Sequence, residues 1–319
     1  MAPMDPEAST GERVLITGAS SGIGLATSVG FADRGARIAL LARDVSGLQR
    51  SADQVRAAGG DPLVTPASVT DRVALEVAVE RAAAAFGGLD IAVINAGATA
   101  YGPFTETDED DFDRTLAVTL RGAIDTIRVV LPHLERSGGS LIVIGSVADK
   151  IPLPLMSAYT AAKHGLRGFV DALQIELRSQ GSSVSIALVS PGPVDTPFWD
   201  NVATQEGHLP PWIPAAYPPE DVAKAVVRCV ERRNSGGITV GGAMVTIGAI
   251  HSLLNPISER ILSRVAAWAR TAGEQGPGAR AIEVPSGKGT FRTGLASRPS
   301  LVMRGLSAVG GAARVVTRR

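Results

Sequence analysis

Tyr159 and Lys163 stand four residues apart in the segment Tyr-Thr-Ala-Ala-Lys. On a helix that spacing puts a phenol and an ammonium on one face. An ordinary tyrosine, with a pKa of about 10, is a poor base at neutral pH. A nearby cation favours its ionised form. Such a pair suits proton transfer to a carbonyl oxygen, or from an alcohol, while hydride moves at the attached carbon. Ser146 follows the apolar run Leu141–Ile144. At the end of a strand its hydroxyl could hydrogen-bond the substrate oxygen. Tyr-x-x-x-Lys by itself is a frequent surface pattern, so the pair acquires meaning only from what surrounds it.

A second group of residues suits a dinucleotide. Thr17-Gly18-Ala19-Ser20-Ser21-Gly22-Ile23-Gly24 follows one apolar run and opens a helix-like stretch, the context such a loop requires. Gly18 permits the tight turn, Gly22 lets the backbone approach a pyrophosphate, and Gly24 allows close helix packing. The N–H groups of the helix start favour phosphate. The next apolar run ends at Arg43-Asp44. A carboxylate at that point suits the ribose of NAD, and a cation suits the 2′-phosphate of NADP. Arg43 offers a planar fork for phosphate, so NADP(H) is favoured over NAD(H), although Asp44 could simply pair with Arg43.

The elements that must hold these groups alternate along the chain. Apolar runs at 13–17, 36–42, 62–66, 89–94, 141–144, 184–189 and 238–240 read as strands. Helical spacing marks 22–34, 71–86, 108–136, 157–180 and 218–233, with Val73, Val77 and Ala84 on one side of the second and Gly35 closing the first. Strands apolar on both faces, alternating with helices, predict an α/β fold of the Rossmann type. Its parallel sheet is doubly wound, in a single domain over 11–242. Residues 1–10 read as a flexible N-terminus and 243–272 as a helical extension, with Ile257, Ile261, Val265 and Trp268 at helical spacing.

In order along the chain stand the glycine loop, Asn95-Ala96-Gly97, Ser146, Tyr159, Lys163 and Pro191-Gly192. This combination resembles the short-chain dehydrogenase/reductase family, over about residues 11–242. The resemblance implies an NADP(H)-dependent enzyme acting on alcohols or ketones, with Tyr159 as general acid/base. It implies that Lys163 binds the nicotinamide ribose and lowers the tyrosine pKa, and that Ser146 orients the substrate oxygen. It implies that Asn95, Ala96 and Gly97 line the adenine-ribose side, and that Pro191, Gly192, Val194 and Thr196 lie towards the nicotinamide. Homodimers or homotetramers are common in the family. Two positions depart from its pattern. Ser68-Val69 stands where an Asp-Val pair is usual near the adenine, and Thr119 stands where an Asn supports a relay water. A non-catalytic NADP(H)-binding sensor or scaffold, or epimerisation on the same scaffold, are the alternatives.

The remaining features bound the setting. The formal net charge is +0 over 319 residues, which offers no overall field for nucleic acid. The lone Cys229 allows no internal disulfide and suits the reducing cytoplasm, and Met1–Arg13 has no signal-peptide pattern. The uncharged run 236–258 is long enough to span a bilayer, but its glycines, His251, Asn255 and Pro256 argue against it. His133, His164, His208 and His251 have no metal-ligand spacing, so no metal is expected. The segment 198–217 carries Phe198, Trp199, Leu209, Trp212 and Ile213, a lining for a lipophilic small-molecule substrate or anchors for a long loop. Residues 273–319 are basic, rich in Gly, Ser and Pro, and read as a mobile tail. A dock for an anionic partner or membrane surface is the alternative.

Overall fold

The computed structural model describes residues 11–204 and 216–241, together with 259, 260, 262–264, 266 and 267. The strands in chain order are β1 (Arg13–Thr17), β2 (Arg37–Ala42), β3 (Asp61–Pro66), β4 (Ile91–Ile94), the short β5 (Ala100–Tyr101), β6 (Ser140–Ile144), β7 (Ser185–Pro191), the short β8 (Ala203–Thr204) and β9 (Gly236–Val240). Seven of them form one sheet in the order β3-β2-β1-β4-β6-β7-β9. Every neighbouring pair in it runs parallel. The chain winds outward from β1 in both directions, so a crevice opens where β1 and β4 end together, the place at which open α/β sheets bind ligands.

Both faces of the sheet are apolar because each of its strands but β9 feeds two cores. In β1, Leu15 joins one cluster while Val14 and Ile16 join the other. In β6, Leu141 and Val143 go one way, Ile142 and Ile144 the other. One face is covered by α3 (Arg72–Phe86), α5 (Gly122–Ser137) and α6 (Ser157–Ser179), through residues such as Leu75, Ile127 and Leu166. The other is covered by α1 (Gly22–Ala32), α2 (Val45–Ala57) and α7 (Pro219–Glu231), through Phe31, Leu48 and Val226. Cys229 belongs to this second core, and burial pushes its thiol up to about 11. Gly35, Gly87 and Gly138 each turn the chain with positive φ just after α1, α3 and α5, as helix ends favour.

Three findings differ from the sequence pattern. Helix α2 has no counterpart among the expected helices, because its buried side is built from Gly47, Ser51 and Ala52 beside Leu48 and Val55. Val73, Val77 and Ala84 do share a side of α3, but that side faces solvent, with Val73 72% exposed. Its buried side is Leu75, Ala78, Val79, Ala82, Ala83 and Phe86. The long helix expected over 108–136 is interrupted. α4 (Glu109–Leu116) leads into a π-helical turn, Ala117–Arg121, where the Gly122 N–H donates to the Ala117 carbonyl, before α5 begins. Single π turns of this kind recur at functional sites.

The helical extension expected over 243–272 is described at seven positions, all helical. Ile257, Ile261, Val265 and Trp268 lie outside the described residues, as do residues 1–10 and the tail 273–319. No described helix is long and apolar enough to cross a membrane.

Candidate active site

The glycine loop is shaped by contacts that leave no room for side chains. Gly18 has φ of +64° and Gly22 of +54°. A Cβ on Gly24 would lie 2.2 Å from the Gly18 carbonyl oxygen, and one on Gly22 would meet Thr196 at 3.0 Å. Ser21 precedes α1 with extended backbone and makes no side-chain cap hydrogen bond. The first turn of α1 therefore keeps its amide donors for another acceptor. Thr17 and Asn95 brace the turn from behind. The Thr17 hydroxyl accepts from the Asn95 N–H at 2.9 Å and the Ala96 N–H at 3.1 Å. The Asn95 side-chain amide donates to the carbonyls of Thr17 at 3.0 Å and Gly18 at 3.3 Å. Asn95 thus ties β4 to the loop, and its side chain is spent there. The donor set and the bare glycine backbone fit a pyrophosphate.

Arg43 follows β2 and is exposed. Partial burial and the neighbouring Arg114 guanidinium of α4 hold its pKa below the ordinary arginine value. Asp44 accepts from the Ser46 hydroxyl at 2.8 Å and lies 3.9 Å from Arg50. Ser68 pairs its hydroxyl with that of Thr70 at 2.8 Å. Val69 is buried and lies so close to Gly122 that a Cβ there would meet it at 2.6 Å. Val69 therefore serves helix packing.

Ser146, Tyr159 and Lys163 come together at the carboxyl ends of the central strands. Ser146 starts a 3-10 turn, Val147–Asp149, and its hydroxyl accepts from the Ala148 N–H at 3.1 Å. The Ser146 hydroxyl acts on the Tyr159 phenol, favouring its ionised form. Lys163 is buried, donates to the Ile144 carbonyl at 2.7 Å, and stands 5.6 Å from the Tyr159 ring centre. Burial dominates both ionisations. It raises the Tyr159 pKa to about 12, with the charge of Asp149 pushing the same way and the Ser146 hydrogen bond opposing. It lowers Lys163 to about 8, against the upward pull of Asp149. The phenol thus stands above its ordinary value, not below it, because desolvation outweighs the Ser146 hydrogen bond that favours the phenolate.

Thr119 sits in the π turn, fully buried. Its hydroxyl donates to the Ala98 carbonyl at 2.8 Å and accepts from the Ala98 N–H at 2.9 Å. A short hydroxyl thereby fastens α4 and α5 to the loop after Asn95-Ala96-Gly97, which satisfies both backbone groups of Ala98. Thr119→Val keeps the shape and leaves both unpaired. It should lower unfolding stability by about 1–3 kcal/mol, read as a shift of the urea midpoint at constant slope. A midpoint equal to that of the parent would remove this role.

The walls around Tyr159 are apolar. Tyr101, Met156 and Val202 form a buried cluster with Leu153, Leu155 and Trp199 against it. The Phe198 ring lies 5.7 Å from that of Tyr159, and the Trp199 indole donates to the Val194 carbonyl at 3.1 Å. β5 and β8 pair in parallel, joining the loop after β4 to the start of the 198–217 segment. Leu155 has φ of +64°, and its carbonyl accepts from the Gly102 N–H at 2.9 Å. Such left-handed backbone at a bulky residue is uncommon and costs energy. Beyond β7, the Gly192 N–H donates to the Val240 carbonyl, Val194 bridges to Tyr217, and Thr196 is buried against Gly22. Leu209, Trp212 and Ile213 lie outside the described residues. Among the described residues no cluster of His, Cys, Asp and Glu could hold a metal ion. His133, buried on α5, accepts from Arg136 and bonds Glu80 at 3.0 Å, and His164 bonds the Thr160 carbonyl.

Residues 12–207 match the family model described as short chain dehydrogenase. The chain belongs to this family. It is 35% identical to a hydroxysteroid 11-beta-dehydrogenase 1-like protein from Xenopus tropicalis, over 70% of this chain and 77% of the relative. It is 30% identical to a ketoacyl reductase of a Nostoc species, over 71% and 77%. Among solved structures, an alcohol dehydrogenase from the archaeon Thermococcus sibiricus, complexed with 5-hydroxy-NADP, is 27% identical. It aligns with a TM-score of 0.63, over 72% of this chain and 95% of that one. A family member from Burkholderia phymatum in complex with NAD aligns at 0.69 with 24% identity, over 77% and 95%, a likeness of fold. The chain is accordingly an oxidoreductase of the short-chain type.

Some residues of the site left little trace in the sequence. Arg114, Tyr101 and Leu155 reach it from loops and helices whose order in the chain says nothing of proximity. Asp149 did leave a trace. Ser146-x-x-Asp149 is the spacing of a capping box, and the carboxylate does accept from the Ser146 N–H.

Proposed function

We propose that this protein is an NADP(H)-dependent reductase of lipophilic ketones, and in reverse a dehydrogenase of the matching alcohols. The observation that carries the reading is the Tyr159 ring set in an apolar, aromatic wall with the Lys163 ammonium 5.6 Å from its centre, and with Ser146 buried near enough to act on its phenol. When bound, the reduced nicotinamide supplies hydride to the carbonyl carbon. Ser146 donates a hydrogen bond to the carbonyl oxygen, and Tyr159 gives that oxygen its phenolic proton. A phenol held near 12 is fully protonated at neutral pH, so it is poised as an acid. Lys163 supplies positive charge as the phenolate forms, and that charge grows below pH 8, where the ammonium is present.

The preference for NADP(H) rests on Arg43, with Arg114 beside it. Two guanidiniums that repel one another are relieved by a dianionic phosphate placed between them. The ketoacyl reductase and the hydroxysteroid dehydrogenase-like relative, and the alcohol dehydrogenase solved with an NADP derivative, agree in class with a carbonyl on an apolar body. We extend the proposal to assembly as a homodimer or homotetramer, for which α6 offers Ile175, 68% exposed.

The test is direct. Purified protein with NADPH and a panel of ketones, from cyclohexanone to decalones and steroid ketones, is followed by loss of reduced-nicotinamide absorbance. Turnover should rise with the apolar surface of the ketone. Turnover confined to small, polar carbonyls would remove the substrate class. Binding of NADPH without any turnover would point instead to a sensor.

A further inference from the structure

Beside the reacting groups lies a buried carboxylate that the proton transfer itself does not use. The Asp149 side chain is fully enclosed. It accepts from the Ser146 N–H at 3.3 Å and from the Ser190 hydroxyl, and its other oxygen pairs with Arg167 at 3.2 Å. Those partners come from three different elements. Ser146 lies two residues beyond β6, Ser190 is the residue before Pro191 in β7, and Arg167 lies one turn beyond Lys163 on α6. The fit is tight on the remaining side too. A Cβ on Gly145 would come within 2.5 Å of the carboxylate and 2.9 Å of the Ser190 hydroxyl.

We propose that Asp149 is a positioning residue of the active site, whose carboxylate locks the Ser146 turn to the helix carrying Tyr159 and Lys163 and to the strand ending at Pro191, and keeps one negative charge beside them. The proposal rests on the reading of the site given above. Loss of the carboxylate would release three attachments at once, since each partner would lose its acceptor. The charge has its own effect. It faces Lys163 and Arg167 from α6 and Lys150 from its own turn, with Ser190 contributing a hydroxyl from β7. Asp171 sits 3.8 Å from the other edge of Arg167, and the Lys150 ammonium donates to the Thr239 hydroxyl of β9 at 2.5 Å. Arg167 is thus shared between two carboxylates. The field of Asp149 is therefore only partly neutralised. It holds protons on both Lys163 and Tyr159, which favours the acid form of the phenol that ketone reduction requires.

The chain contains only four lysines, Lys150, Lys163, Lys224 and Lys288, so each can be followed by NMR after labelling lysine with 13C and 15N and assigning the signals by single Lys→Arg changes. In the parent Lys163 should titrate near 8. Asp149→Asn keeps the shape and removes the charge, and should move Lys163 down by about one unit. Arg167→Gln keeps the charge and removes its partner, and should move Lys163 up. A merely structural loosening would admit water in both variants and move Lys163 upward in both, towards an ordinary lysine. Opposite shifts in the two variants are the expected result. An unmoved or raised Lys163 in Asp149→Asn, or an unmoved or lowered one in Arg167→Gln, would overturn the proposal. If Asp149→Asn fails to fold, Ser190→Ala takes its place, since it loosens the carboxylate without changing any charge: Lys163 unmoved there but raised in Arg167→Gln supports the proposal, and a rise in both overturns it. The titration needs no substrate, so a protein that reduces no ketone at all would still give its answer.

Discussion

Tyr159→Phe is expected to lower ketone turnover by roughly 10²-fold or more, the scale of general acid/base catalysis, while NADPH binding stays within a few-fold of the parent. The phenyl ring keeps the contacts of Tyr159 with Phe198 and with the wall around Met156, so packing is preserved and only the proton donor is lost. Among the described residues with a proton to give nearby, Ser146 and Lys163 remain. The Ser146 hydroxyl is a far weaker acid than a phenol, and the Lys163 ammonium donates to the Ile144 carbonyl and stands 5.6 Å from the ring centre, so neither takes over the step. The effect should fall on kcat and on kcat/KM alike, because the proton moves only in the transition state. Single-turnover rates and fluorescence titration with NADPH separate the two quantities. A Tyr159→Phe protein as fast as its parent would sink the mechanism. A parent that binds NADPH and reduces nothing in a broad panel would favour the sensor.

The sequence carried much of this site because the family chemistry is local. Tyr159 and Lys163 lie on one helix, Gly18 to Gly24 on one turn, and each patterned strand ends where a site residue begins. The strands were legible for a physical reason. A strand buried on both faces must be apolar at every position, as Val14, Leu15 and Ile16 are. Helix α2 was hard to read because Leu48, Ala52 and Val55 give it only a short apolar period, and Gly47 and Ser51 share its buried side. The side of α3 was misjudged because Val73 and Val77 are apolar yet exposed, while its packed side includes three alanines that count little in a hydrophobic pattern. The π turn at Thr119 leaves no local pattern, since the helix on either side of it is regular. The direction of the Tyr159 shift could not be read either. Lys163 lies near in sequence, but the direction is set by desolvation, which depends on how deeply the phenol is buried.

Arg43→Asp should reverse the cofactor preference. With a free 2′-phosphate the parent gains a charge-assisted contact from Arg43, worth about 1.5–3 kcal/mol, or roughly 10- to 150-fold in affinity. NADH lacks that phosphate and gains nothing from it. The substitution replaces attraction by repulsion, so the loss for NADPH should exceed that of Arg43→Ala. The new carboxylate, in turn, stands where a dehydrogenase that uses NAD places one for the ribose hydroxyls. NADH affinity should therefore hold or rise while that of NADPH falls by roughly 10² or more. The loss should also shrink at high salt, because the exposed guanidinium is screened. Arg114 sharpens the measurement. It lies close enough to Arg43 to help lower its pKa. If both guanidiniums serve the phosphate, Arg114→Ala should weaken NADPH and spare NADH, by less than Arg43→Asp. Calorimetric titration of the parent and the two variants with both cofactors reads all of this. Equal or tighter binding of NADH by the unmodified protein would refute the preference, and an Arg43→Asp protein that still prefers NADPH would move the phosphate site away from β2.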